Sequence, residues 1–172
     1  MMTRLCTRDE VAAIPQLVEL LQDAVHGGAS VGFLSPLSDA RAEAYWRRVL
    51  SSVGEDLYLW VCEAEGRIVG SVQLELSTKE NGAHRAEIQK LFVLSACRGR
   101  GISSRLMKTA ESKAASLGRS LLFLDTQAGS TAEAVYRHLG WTAAGQIPDY
   151  AASPDGQLHA TAYFYKRMCT ES

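Results

Sequence analysis

Arg98-Gly99-Arg100-Gly101 brings two arginines and two glycines together where an apolar run ends and a helical pattern begins. The first turn of a helix carries backbone N–H groups without partners and a partial positive charge. Glycines let oxygen atoms approach that backbone, and arginines add mobile positive charge. The backbone from Arg98 through Ile102 and Ser103 to Ser104 therefore suits a diphosphate. The plainer alternative is a helix start whose glycines only turn the chain. A nucleoside-triphosphate loop needs G-x-x-x-x-G-K-[ST], which is absent. A dinucleotide fingerprint needs a third glycine where Ser104 stands, and it follows the first strand of a β-α-β repeat. Two carboxylates are candidates for base chemistry. Asp125 closes an apolar run, 120–125, at the strand edge where open α/β sheets bind ligands. Glu87 lies early on the run that leads into the arginine loop. Their structural alternatives are a solvated strand residue paired with Lys90 or Arg85 and a loop-start cap, but two carboxylates near one cleft favour chemistry.

The elements that must position these groups follow from periodicity. Residues 9–25 place Val11, Ile14, Leu17, Val18, Leu21 and Val25 at helical spacing, with Pro15 near the start of the regular helix. Residues 26–38 form a Gly- and Ser-rich loop with Phe33 and Leu34 as apolar anchors. A second helix over 39–50 turns Ala42, Tyr45, Trp46 and Val49 inward, capped by Ser38 or Asp39. Residues 57–64 and 67–77 read as a hairpin about Glu65-Gly66, and 86–94 as a third strand. A helix then runs to Leu117 with Ile102, Leu106, Ala110, Ala114 and Leu117 inside and Gly118 beyond its end. The run 120–125 predicts a strand buried on both faces. A short helix over 130–139 turns Ala132, Val135, Tyr136 and Leu139 inward, and 141–150 and 159–168 are two more strands. Trp46, Trp60 and Trp141 fall at core positions. Strand–helix–strand around Arg98 demands one parallel pair, and the hairpins demand antiparallel ones. The expectation is one α/β (α+β) domain over 1–172, with a mixed, mostly antiparallel sheet and helices on both faces.

Of 172 residues, 47% are hydrophobic and 22% charged, enough for one sizeable core. The net charge of −1 speaks against a nucleic-acid binder. No apolar run reaches the roughly 18–20 residues that span a bilayer, and no secretory pattern opens the chain. Cys6, Cys62, Cys97 and Cys169 stand singly, which argues against a zinc cluster or disulfide framework and suits a reducing cytoplasm; no metal is expected.

The run LFVLSACRGRGISSRLM, 91–107, resembles motif A of the GNAT N-acetyltransferases, [QR]-x-x-G-x-[GA], with Ser103 in the last place. AEAVYRHLGW, 132–141, resembles motif B of that family, A-x-x-x-Y-x-x-x-G-[FW], with Gly129 and Ser130 where an Asn often precedes the helix. The hairpin WVCEAEGRIVGSVQL is similar as well. The resemblance implies a GNAT-type sheet with one central parallel strand pair and acetyl-CoA as co-substrate. It implies a diphosphate on residues 98–104, a further contact at Ser130, and pantetheine laid along Leu91, Phe92 and Val93 like an extra strand. It implies Glu87 or Asp125 as base, directly or through water, and Tyr136 as general acid; without it, Tyr136 reads as a core residue. Segments 25–33, 81–91, 124–134 and 150–164 are similar to family members that acetylate amino-acid-like toxins. That likeness implies a small amine as substrate, with His26, Gly27, Gly28, Phe33 and Tyr150 around it, in a monomer or homodimer that engages neither nucleic acid nor membrane. For His26 the alternative is a helix C-cap favoured by the dipole. A catalytically silent acyl-CoA-binding module, or a peptide or protein N-acetyltransferase, remain as other readings.

Overall fold

A computed structural model describes residues 1–168; Cys169 lies outside the described residues. The elements are β1 (Met2–Leu5), α1 (Ile14–His26), α2 (Asp39–Ser52), β2 (Leu57–Ala64), β3 (Arg67–Leu76), β4 (Arg85–Val93), α3 (Ile102–Ser116), β5 (Leu121–Gln127), α4 (Thr131–His138), β6 (Thr142–Ala152) and β7 (Leu158–Arg167). The seven strands form one sheet in the order β1-β2-β3-β4-β5-β7-β6, and β4–β5 is its parallel pair. This is the mixed, mostly antiparallel sheet the sequence predicts, with α1 and α2 on one face and α3 and α4 on the other.

Each face has its own core. Leu17, Leu20, Leu21 and Val25 of α1 and Trp46 of α2 pack on Leu59, Val61, Ile68 and Phe92. Leu106, Met107, Ala110 and Ala114 of α3 pack on Val72, Leu74, Ile88, Leu122 and Leu124. Trp46, Trp60 and Trp141 are all buried. Pro15 stands in the first turn of α1, where its missing N–H is one of the helix's orphan donors in any case. The Ser38 hydroxyl caps α2 by accepting from the Arg41 N–H at 3.4 Å. Gly118 ends α3 at φ 71°, the left-handed C′ conformation that favours glycine. At Gly70 a Cβ would lie 2.9 Å from Ile102 Cγ2 and from the Phe92 carbonyl oxygen. Only glycine there lets the start of α3 settle onto β3.

The structure adds one strand and corrects four expectations, the first being Leu117, which is exposed just beyond the last turn of α3 rather than inside it. The sequence gives no sign of β1, which pairs antiparallel with β2 through Met2↔Glu63 to Leu5↔Trp60. Its four residues show no alternation; the neighbouring edge and the Arg4–Glu63 hydrogen bond of 2.7 Å hold it. Val11 leaves the α1 stripe and is exposed, because a 3₁₀ turn over Val11–Ala13 precedes the regular helix and rotates it away. Leu34 is also exposed: Phe33 packs edge-on against Tyr45 at 5.3 Å, and Leu37 supplies the buried anchor instead. Finally, β5 alternates rather than being buried on both faces: Leu122 and Leu124 face α3 and are buried, while Leu121 and Phe123 are half-buried and Asp125 is exposed. Among the described residues no helix covers the second face of β5, and that open face carries the polar groups described next.

Candidate functional site

The loop between β4 and α3 leaves the first turn of α3 open. After a 3₁₀ turn over Ser95–Cys97, Gly99 and Gly101 both adopt φ 75°. That conformation costs an L-residue about 1–2 kcal/mol, which explains two glycines in three positions. The first helical bond runs from the Arg105 N–H to the Gly101 carbonyl at 3.1 Å, and no side chain caps the helix. The Ile102, Ser103 and Ser104 N–H groups are thus the orphan donors of the first turn. A Cβ at Gly99 or Gly101 would meet nothing within 4 Å, so the space in front of them is open. Asp23 of α1 pins the loop, accepting the Ser95 N–H at 2.8 Å and the Ser95 hydroxyl at 2.7 Å. Gly27 lies against the same loop; its Cβ position is 3.9 Å from Arg98 Nη2. An anion with two linked phosphates can bind here with Arg98 and Arg100 beside it.

Beside this loop the sheet comes apart. The parallel register of β4 and β5 runs Arg85↔Leu121, Ala86↔Leu122, Glu87↔Phe123 and then stops, although β4 continues to Val93 and β5 to Gln127. The separated strands present unpaired backbone edges to each other, a place where an extended ligand can lie like a strand. On its other edge β4 carries a bulge: Gln73 faces Gln89 and Ser71 faces Phe92, so Val72 alone opposes both Lys90 and Leu91. Lys90 takes φ 54° there.

One face of the opening is charged. Ala86, Ile88, Leu122, Leu124, Ala162 and Phe164 pack toward α3, which turns Glu87, Asp125 and Tyr163 to the other side. Glu75 on β3 stands directly opposite Glu87, and Tyr163 on β7 directly opposite Asp125. Burial first, then Asp125 and Glu75, push the Glu87 carboxyl up to about 7, while Lys90 pulls it down. Asp125 keeps more solvent contact than Glu87, yet desolvation also raises its carboxyl, against the pull of Lys90. Burial lowers the Lys90 ammonium, with Asp125 and Glu87 opposing. Like charges paired across strands destabilise a sheet, so this cluster has no structural advantage. Gln89 donates to Glu75. Gln73 donates to the buried Tyr45 hydroxyl at 3.0 Å.

On α4, Tyr136 is buried between Trp141 and Phe164, at ring distances of 6.3 and 6.0 Å. Burial and then the Asp125 charge hold its phenol up at about 12. Ser130 is the N-cap residue of α4, its Oγ 3.4 Å from Thr126 Oγ1. Tyr150 stands edge-on to Tyr163 at 6.0 Å. His26 and Gly28 are exposed at the end of α1, and Gly27 between them is the one set near Arg98. The fold therefore sets Glu87 and Asp125 on one face of the β4–β5 opening and Tyr136 on the α3 face, near enough to Asp125 for that charge to act on the phenol. It adds Glu75, Lys90 and Tyr163, which sequence reasoning did not propose as site residues. Glu75 could have been found by pairing the two strands; Lys90 depends on a bulge that leaves no sequence signal. Among the described residues, no three His, Cys, Asp or Glu side chains gather as a metal site.

An opened parallel pair with a glycine–arginine helix start beside it is the architecture of acyl-CoA-dependent acetyltransferases. Residues 17–141 match the acetyltransferase (GNAT) family, and the chain belongs to it. It is 33% identical over 113 residues to an uncharacterized N-acetyltransferase from the hisH-hisA intergenic region of Azospirillum brasilense, covering 64% of this chain and 66% of that one. The chain matches less than two thirds of the length of its curated relatives. Its fold is similar to the ribosomal-protein-alanine N-acetyltransferase from Brucella melitensis, with TM-score 0.80 and 20% identity over 98% of this chain and 100% of that one. It is similar too to a phosphinothricin acetyltransferase from Sinorhizobium meliloti in complex with AcCoA, with TM-score 0.80 and 17% identity over 97% and 88%. No described helix is long and apolar enough to cross a membrane.

Proposed function

We propose that the chain is an N-acetyltransferase that acetylates the amine of a small amino-acid-like or β-lactam-like acceptor from acetyl-CoA. The observation that carries it is the parting of β4 and β5 beyond Glu87↔Phe123, which leaves the Glu87–Asp125 pair where the pairing ends and the uncapped start of α3 beyond the far end of β4. The open space before Gly99 and Gly101 and the orphan N–H groups fit the diphosphate of the co-substrate. Bound acetyl-CoA supplies the thioester whose acetyl group the amine receives.

The chain's own residues divide the work. Ile102, Ser103 and Ser104 N–H groups bind the diphosphate, with Arg98 and Arg100 against its charge. The free edge of β4 from Leu91 to Val93 holds the pantetheine and offers an N–H to the carbonyl oxygen. Asp125 holds the incoming ammonium, and Glu87 removes its proton directly or through water. Nitrogen then bonds to the carbonyl carbon, the carbon–sulfur bond breaks as the Tyr136 O–H donates a hydrogen bond to the sulfur, and the sulfur leaves as a thiolate that solvent then protonates. Deprotonation at pH 7 costs about 1–2 kcal/mol for an α-amine of pKa about 8, more in a zwitterion whose own carboxylate stabilises the ammonium, and about 4–5 kcal/mol for an alkyl amine near 10.4. A carboxyl poised at about 7 is matched to the first task.

Segments 25–33, 81–91, 124–134 and 150–164 resemble the tabtoxin resistance protein, a family member that acetylates the α-amino acid tabtoxinine-β-lactam; this supports the acceptor class. The free thiols of Cys6, Cys62 and Cys97 support a reducing cytoplasm as its setting. We read it as a monomer or homodimer that works without nucleic acid.

An acetyl-CoA turnover assay over α-amino acids, β-lactam amino acids, polyamines and short peptides tests the reading. The expected result is release of free CoA with amino acids well ahead of polyamines. Peptides in first place would move the acceptor to protein N-termini, and binding of acetyl-CoA with no turnover on any amine would leave a silent acyl-CoA module. A second prediction checks the diphosphate placement. Ser104→Glu puts a negative charge in the first turn of α3, where it stabilises a helix by about 0.3–1 kcal/mol. The same charge repels a diphosphate. Calorimetry should show acetyl-CoA binding lost while the melting temperature is kept or raised; retained affinity would put the diphosphate elsewhere.

A further inference from the structure

We infer that Lys90 is the group that recognises a carboxylate on the acceptor, and that the acceptor is therefore an amine bearing a carboxylate a few bonds away; this rests on the acetyltransferase reading above. The strand's alternation makes residue 90 unusual. Ala86 and Ile88 face α3, and an unbroken β4 would send residue 90 the same way, into the core. The bulge opposite Val72 prevents this. It holds Lys90 at φ 54° and carries its side chain to the α1–α2 loop, where Nζ donates to the Val31 carbonyl at 2.9 Å. The left-handed region is unfavourable for lysine, and residues kept there concentrate at ligand-binding places. Gly32, at φ 92°, closes on the same ammonium, its Cβ position 3.7 Å from Nζ.

The ammonium is under-used as it stands. It has three donors, and among the described residues its one hydrogen bond is to Val31. No described carboxylate lies within 4 Å of it, although Glu87 and Asp125 act on it at longer range. A half-buried cation with two donors open and no ion-pair partner suits an anion that arrives from outside. The remaining charges complete the pattern. Glu87 on β4 and Asp125 on β5 are available to a cation, Glu75 on β3 is engaged by Gln89, and Tyr163 on β7 and Tyr45 on α2 are neutral phenols. Positive and negative groups thus stand side by side, as the two ends of a zwitterion require. Of His26 and Gly27-Gly28, the carboxylate partners the sequence suggests, Gly27 lies near Arg98, its Cβ position 3.9 Å from Nη2.

The test compares α-amino acids with their carboxamides, which keep the size and the α-amine but lose the anionic charge. Binding is read by calorimetry in the presence of CoA, and kcat/KM by acetyl transfer, for the full chain, Lys90→Met and Lys90→Arg. The parent should prefer the acids by about 10–100-fold, the range of a charge-assisted hydrogen bond. Lys90→Met should bring the ratio close to one, and Lys90→Arg should restore part of it. A lysine that only clamps the loop through Val31 would change the melting temperature and leave the ratio alone, which overturns the assignment. Acids and amides bound and acetylated equally well by the parent would overturn it too, with the acetyltransferase reading intact. Acid-selective binding that Lys90→Met abolishes, without acetylation of any amine, would sustain the anchor and remove the catalytic reading instead.

Discussion

Glu87→Gln should lower kcat by about 10²–10⁴, the usual cost of removing a general base, and should raise the melting temperature at pH 8 but not at pH 4. The two effects share one cause. Burial and the facing carboxylates of Asp125 and Glu75 hold the Glu87 carboxyl at about 7, well above its ordinary 4.5, against the opposing pull of Lys90. Between those two values the native state binds a proton that the unfolded chain has already released. Stability therefore falls as pH rises from 4.5 through 7, and above 7 the whole penalty is present. The gap corresponds to an upper bound on the order of 3 kcal/mol at pH 8, which glutamine, having no charge, would recover. At pH 4 both states are protonated and the substitution gains nothing. Thermal melts at the two pH values, beside the pH dependence of kcat/KM, check this. The parent should lose activity as pH falls through about 7. An equal stability gain at both pH values would mean better packing by glutamine, and a parent profile flat across pH 6–8 would move the base to Asp125.

Those same packed carboxylates show where sequence reading succeeds and where it stops. Local rules reach α3 and its loop almost completely: Ile102, Leu106, Ala110 and Ala114 recur at helical spacing and are buried, and Gly118 takes the left-handed conformation its position predicts. The Glu65-Gly66 turn, at φ 52° and 75°, is equally local. What fails depends on partners distant in sequence. β1 exists because the edge of β2 is vacant, some sixty residues later. Asp125 is open because no described helix covers that face of β5, which the apolar run of four residues before it does not disclose. Lys90 reaches the α1–α2 loop only because Val72 opposes two residues instead of one. The motifs locate the candidate site, whereas its charge balance emerges only when β3, β4, β5 and β7 lie side by side.

Tyr136→Phe should lower kcat by about 10²–10³ with unchanged affinity for acetyl-CoA and a nearly unchanged melting temperature. The ring is held by Trp141 and Phe164, and phenylalanine fills the same space, so the packing survives. What disappears is the O–H. Burial and the Asp125 charge hold that phenol at about 12, whereas a thiol titrates near 8.5. Full proton transfer from the phenol to the departing thiolate is therefore uphill by about 4–5 kcal/mol. On the proposed mechanism the phenol is a hydrogen-bond donor to the sulfur while negative charge develops on it, and the thiolate takes its proton from solvent afterwards. Loss of one such preorganised donor costs about 10²–10³ in rate, the lower part of the range for a true general acid. The two roles separate experimentally. A donor held near 12 gives no basic limb to the kcat profile below pH 10, and the parent and Tyr136→Phe profiles should run parallel. A basic limb present in the parent and absent from Tyr136→Phe would restore proton transfer as the role of the phenol, and an equal kcat in both proteins would return Tyr136 to the core.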